Sequence, residues 1–198
     1  MLRFAMLLTS FVMLMVLATA QEKDSSEMKA YDDPEAYKVY SAILPNQWPW
    51  SEANATTLMI RTQTEPYAMC IAPDKESEKI VGSAIADYKK KNRTKWLLQR
   101  EFDIAKPYEM VPGEEIDGIF KTEGTAGWKT FYERHPNSGG WIELSAVGFN
   151  PSKTIAVVYA GHSCGGLCGG GTFHTLQKID GKWIPLRLKG GTSCAWAS

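Results

Sequence analysis

The first twenty residues set the compartment in which the rest of this chain folds. Met1-Leu2-Arg3 supplies a positive start, Phe4 to Leu17 is almost wholly apolar, and Ala18-Thr19-Ala20 is an A-x-A cleavage pattern before polar Gln21. These are the three parts of a secretory signal peptide. The apolar run is shorter than the ~20 residues a bilayer needs, and Thr9 and Ser10 interrupt it, so the expectation is cleavage and not anchoring. No cysteine stands just after the cut to carry a lipid, and the later chain has no second long apolar run, so no membrane insertion is expected after cleavage. A secreted or periplasmic location places the cysteines where thiols pair.

Cys70, Cys164, Cys168 and Cys194 allow three connectivities. Only Gly165-Gly166-Leu167 separates Cys164 from Cys168, a spacer flexible enough for a local bridge. A Cys70–Cys194 bond would then close a long loop, contributing roughly 4–5 kcal/mol by chain-entropy reasoning. Asn54-Ala55-Thr56 and Asn92-Arg93-Thr94 fit the glycosylation sequon, which matters only in a eukaryotic host.

The chain has 198 residues, enough for one domain, and its 44% apolar and 22% charged content argues against disorder. Basic and acidic residues number 22 each, so no net charge points to nucleic acid. After the signal peptide at residues 1–20, the polar residues 21–33 read as a flexible leader, and residues 34–198 as a single α+β domain. Asp33 and Pro34 suit the cap and first position of a helix carrying Val39, Tyr40, Ile43 and Leu44 on one side, with Pro45 ending it. Thr57 to Thr64 reads as a strand. A second helix starts after Asp74, presents Ile80, Val81, Ala84, Ile85 and Tyr88 on one face, and ends in Lys89-Lys90-Lys91. That basic cluster is read as complementing the helix C-terminus.

Sixteen of the 17 glycines lie after residue 112, so the chain changes character there. Trp128 to Glu133 reads as a short helix. Four extended runs come after it: Trp141 to Phe149, Thr154 to Ala160, Thr172 to Ile179 and Lys182 to Leu188. Asp180-Gly181 is a strong two-residue hairpin signal. Short connections imply an antiparallel sheet with a C-terminal β-meander, and Pro185 puts its last strand at an edge.

The unusual chemistry sits in Gly161 to His174, where three readings compete. Gly161-His162-Ser163-Cys164-Gly165 fits the G-x-S-x-G pattern of a serine hydrolase with Ser163 as nucleophile. The residues after the pentapeptide are glycine-rich and then strand-like, where that motif needs a helix, and His174 precedes Asp180, the reverse of the hydrolase order. His162, Cys164, Cys168 and His174 could instead ligate Zn or Cu, or the two cysteines could do thiol-redox work beside a histidine. The third reading is structural: a bridge pinching a glycine loop, with Gly169 to Gly171 in backbone angles other residues avoid, and His162 near His174.

Residues Phe131 to Ser198 resemble a group of exported bacterial proteins with no established activity. The resemblance rests on Phe131-Tyr132, Gly139-Gly140, Val147-Gly148-Phe149-Asn150, Cys164-Gly165-Gly166-Leu167-Cys168-Gly169, Asp180-Gly181-Lys182-Trp183 and Trp196, with Tyr37 to Leu44 similar to that group's opening helix. It implies export and one compact domain, and assigns no catalytic residue. Asp-Gly-Lys-Trp hairpins also resemble those of NTF2-like cone-shaped α+β domains, an analogy that carries no function.

Glu114, Glu115 and Asp117 lie together without an evident partner and read as a solvated acidic loop. Trp48, Trp50, Trp96, Trp128, Trp141, Trp183 and Trp196 read mainly as packing. The expectation is therefore an exported, disulfide-stabilised protein of binding or structural role, without identifiable catalytic machinery or cofactor. Its partner would be a cell-envelope protein or a small ligand. The alternative is the Zn, Cu or thiol-redox site.

Overall fold

The computed structural model describes residues 28–46, 55–188 and 194–198; the signal-peptide reading, Trp48, Trp50 and Asn54 lie outside them. Asp33 caps helix α1 (Pro34–Ile43), its side chain accepting from the Glu35 N–H, and the chain runs on through a 3-10 turn at Leu44–Asn46. Asp74 caps α2 (Lys75–Lys91) in the same way, accepting from the Ser77 N–H, and Asn92 ends it. Between them lies strand β1 (Thr57–Arg61). The remaining elements are β2 (Tyr108–Val111), α3 (Gly113–Glu123), α4 (Gly127–Arg134), β3 (Ser138–Leu144), β4 (Gly148–Phe149), β5 (Ile155–Gly165), β6 (Cys168–Ile179), β7 (Lys182–Pro185) and β8 (Ala195–Ala197).

Among the described residues all eight strands join one sheet in the order β2-β1-β3-β5-β6-β7, with β4 beside β5 and β8 beside β6. The fold is α+β. The sheet is mixed, which corrects the antiparallel expectation: β1 runs parallel to both β2 and β3, whereas β3-β5-β6-β7 is antiparallel. The physical reason is connection length. Helix α2 lies between β1 and β2, and α3 with α4 between β2 and β3, giving crossovers long enough to restart a strand in the same direction.

Strand alternation divides the core. Ala156, Val158 and Ala160 of β5 pack with Val39, Tyr40 and Ile43 of α1. Val157 and Tyr159 face the other way, onto Val81, Ala84, Ile85 and Tyr88 of α2. Met59 and Trp141 share that second face with Ile116, Ile119 and Phe131 of α3 and α4. Ile80 is 47% exposed and does not join the α2 stripe. Tyr31 is buried against Tyr37 and Tyr40, so residues 28–33, read as leader, include a core side chain.

The run expected from Trp141 to Phe149 breaks at Ser145–Val147, and side chains fill the gap in the ladder. Tyr159 N–H bonds to Ser145 Oγ at 2.8 Å and Val147 N–H to Tyr31 Oη at 2.8 Å. Tyr40 Oη donates to Ser145 O at 2.7 Å, and Asn92 both donates to Ala146 O and accepts from Ala146 N–H, each at 2.9 Å. Buried backbone that leaves a sheet needs such partners.

Candidate functional site

The distal half of the β5–β6 hairpin carries the residues singled out in the sequence. Its turn is tight: Gly165 pairs with Cys168, leaving Gly166 and Leu167 at the tip. Cys164 and Cys168 are disulfide-bonded across it, with Cα atoms 5.0 Å apart, and Cys70 is bonded to Cys194. Gly169, Gly170 and Gly171 belong to β6, and among the described glycines only Gly124, Gly140 and Gly181 take positive φ. The glycine run is therefore strand and not strained loop, which corrects the expectation; its cause is close approach.

On the face shared with α2, Gly161 pairs with Gly171, and Gly171 in turn with Trp196. A side chain on Gly171 would collide with the Tyr159 hydroxyl and stand 2.8 Å from Trp196 Nε1. The space is occupied by the two rings, Trp196 Nε1 donating to Tyr159 Oη at 2.7 Å. Aromatic side chains laid over strand glycines restore the burial the glycines lack. Tyr67 stacks on Tyr159 at 3.8 Å and donates to Glu143 Oε2 at 2.7 Å, while Trp141 Nε1 donates to Glu143 Oε1 at 3.0 Å. Burial, and then the Glu143 carboxylate, raise the Tyr67 phenol above its ordinary range.

Behind Glu143 lies a charge cluster that the sequence did not disclose. Arg61, buried at the end of β1, contacts Asp117 at 2.7 Å, Glu65 at 3.0 Å and Glu143 at 3.9 Å. Glu114 accepts from Gln63 at 2.8 Å, and Glu115 lies 3.3 Å from His135 and 3.5 Å from Arg134. The acidic residues read as a solvated loop are thus the first turns of α3, each with a partner. Pro112 before a pair of acids, with Ile116, Ile119 and Phe120 at helical spacing, was the signal for α3.

The opposite face of the hairpin carries His162, Gly170, Thr172 and His174, because His162 pairs with Gly170, Ala160 with Thr172 and Val158 with His174. That register sets the two histidines four residues apart along the ladder, roughly 13 Å at strand rise, so they are not adjacent. With both thiols in a disulfide, the H-x-C-x3-C-x5-H set is not assembled. Among the described residues no group of three or more His, Cys, Asp or Glu is placed to hold a metal. Ser163 alternates onto the other face, paired with Trp141 and Gly169 in mid-ladder, where neither histidine of the hairpin can reach it. A nucleophile elbow needs a strand-to-helix turn, and this serine has none.

Instead the histidines line a groove of about 570 Å³. Ala160, Gly170 and Thr172 form its floor, Ala195 and Ala197 of β8 continue it, and Asn46 and Leu167 stand at its sides. The His162 ring lies over Gly170, its Cε1 3.0 Å from where a Cβ would stand. Among the described residues no Asp, Glu, Lys or Arg side chain lines the groove. Burial lowers the pKa of His162 and brings that of His174 down to about 4, which favours the neutral ring in both. No family model, no curated protein and no solved structure matches this chain.

Proposed function

We propose that the chain is the precursor of an exported, disulfide-braced binding protein. Its ligand would be neutral and polar, held in the groove between His162 and His174. One observation carries this reading: among the described residues no charged side chain lines the groove, in a chain of which 22% is charged. Apart from the α-carboxylate of Ser198, the described lining is uncharged, so an anionic ligand would lose hydration on entry without a counter-charge. Two imidazoles, Thr172 and Asn46 bring both donor and acceptor atom types to the lining, which suits hydroxyl or amide groups. Export rests on the signal-peptide pattern and is supported by the two disulfides. The resemblance to exported bacterial proteins points the same way.

The test is an NMR titration of the His162 and His174 imidazole signals with three probes: a neutral disaccharide, an acetylated and amidated tripeptide, and inorganic phosphate. A neutral probe is expected to shift both imidazoles, and Thr172→Lys, which puts a charge on the floor, to abolish the shift. Shifts from phosphate alone, or from no probe, sink the reading.

A further inference from the structure

The two disulfides of this chain do different work. Cys70–Cys194 spans 124 residues and ties the irregular chain ahead of α2 to β8. Cys164–Cys168 spans four. A bridge stabilises chiefly by restricting the unfolded chain, and the shortest loop restricts it least. The folded hairpin end does not depend on the short bridge either. Ser163 pairs with both Trp141 and Gly169, Gly165 pairs with Cys168, and the Tyr132 hydroxyl donates to Cys164 O at 2.7 Å. Strand β8 holds the next residues, Gly170 to Thr172, from the other side. Opening the bridge removes none of these contacts.

Its two cysteines are also unequal. Cys168 is partly exposed and lines the groove, whereas Cys164 is 7% exposed and does not line it. A thiolate arriving from the groove therefore meets Cys168 first. Its approach is open: Leu167 beside it is 90% exposed, and a side chain on Gly166 would touch nothing within 4 Å. Exposed disulfides are the labile ones, and those that brace a fold resist reduction.

We infer that Cys164–Cys168 is an exchangeable bridge that passes its oxidation to a pair of cysteines in an extended peptide, with attack falling on Cys168. The first peptide cysteine, as thiolate with its proton left to water, bonds to Cys168 Sγ. The Cys164–Cys168 bond breaks, and its electron pair leaves on Cys164 Sγ, which takes up a proton. The second peptide cysteine, also as thiolate, then attacks the peptide sulfur of the mixed disulfide. That bond's electron pair leaves on Cys168 Sγ, which takes up the other proton. The peptide ends as a disulfide, and this chain ends as a dithiol holding the electrons the peptide lost. Leu167 gives apolar contact to the residues flanking the incoming cysteine, which suits an unfolded peptide better than a small thiol. The inference does not rest on the ligand proposed for the groove, since it needs Cys168 and not the two histidines.

The test equilibrates the oxidised protein in a series of glutathione buffers, quenches with an alkylating agent and identifies the alkylated cysteines by mass spectrometry. Cys164 and Cys168 should be alkylated together in buffers that leave Cys70–Cys194 intact, with unchanged circular dichroism. An unstructured peptide carrying two cysteines, mixed with excess oxidised protein in the absence of oxygen, should gain one bridge for each Cys164–Cys168 bridge opened. A peptide with a single cysteine stops at the mixed disulfide, and acid quenching should locate it on Cys168 of the wild type. Cys164→Ser should react with glutathione disulfide at least about tenfold faster than Cys168→Ser, and the wild-type mapping decides the point if either variant fails to fold. Two bridges that open in the same buffers overturn the inference, as does a peptide that stays reduced or is trapped on Cys164.

Discussion

His174 is a histidine whose burial changes its protonation chemistry. Burial holds its pKa at about 4, whereas an unfolded chain returns it to about 6.5. Linkage sets the sign: between those values the unfolded state binds the extra proton, so stability is full above pH 6.5 and lost as the pH falls toward 4. Each pH unit in that window costs up to about 1.4 kcal/mol for one such group. Urea unfolding at pH 7 and pH 4.5 should therefore show a smaller drop for His174→Gln than for the wild type, the carboxylate background being common to both. Equal drops would mean that His174 is not the buried titrating group. Its residue type was legible in the sequence as a candidate ligand. Its neutrality was not, because desolvation depends on what the fold lays over the ring.

At the scale of elements, the break between β3 and β4 is the least replaceable connection. Ala146 is fully buried, and both its N–H and its C=O are satisfied by the Asn92 side chain at the end of α2. Asn92→Ala leaves both groups without that partner and removes a hydrogen bond to Tyr88 O as well. The expected loss is about 2–4 kcal/mol by denaturant unfolding, since an unsatisfied buried group costs its desolvation. A loss under about 0.5 kcal/mol would show that the break tolerates water. The same scale explains which elements were legible. Helices α1 and α2 announced themselves by cap, stripe and terminal lysines, and the β6–β7 hairpin by Asp180-Gly181, both residues of which take positive φ. Strand β2, four residues long between prolines, carries too little periodicity to be told from loop. Ser145 disguised the end of β3 because its hydroxyl stands in for a ladder partner within a run of otherwise apolar residues.

For the whole molecule, the Cys70–Cys194 bond spans 124 residues and joins the segment before α2 to β8. Cys70→Ser and Cys194→Ser should each lower thermal stability to a similar extent, and the double variant no further, because either change alone opens the same loop. Additive losses would show that the two are not partners. By itself the sequence determined what chain-local chemistry can specify: an α+β class, two capped helices, a hairpin turn and a short-spaced cysteine pair. The tertiary structure alone decided the parallel pairing of β1, the neutral groove and the Arg61 cluster. It also decided the reason for the glycine run. A strand glycine looks the same in sequence whether it bends the backbone or makes room, and here the decisive neighbours, Tyr159 and Trp196, reach it across the sheet. Residues distant along the chain meet only when the strands find their register, and one-residue spacing along a strand separates Ser163 from His162 by the thickness of the sheet.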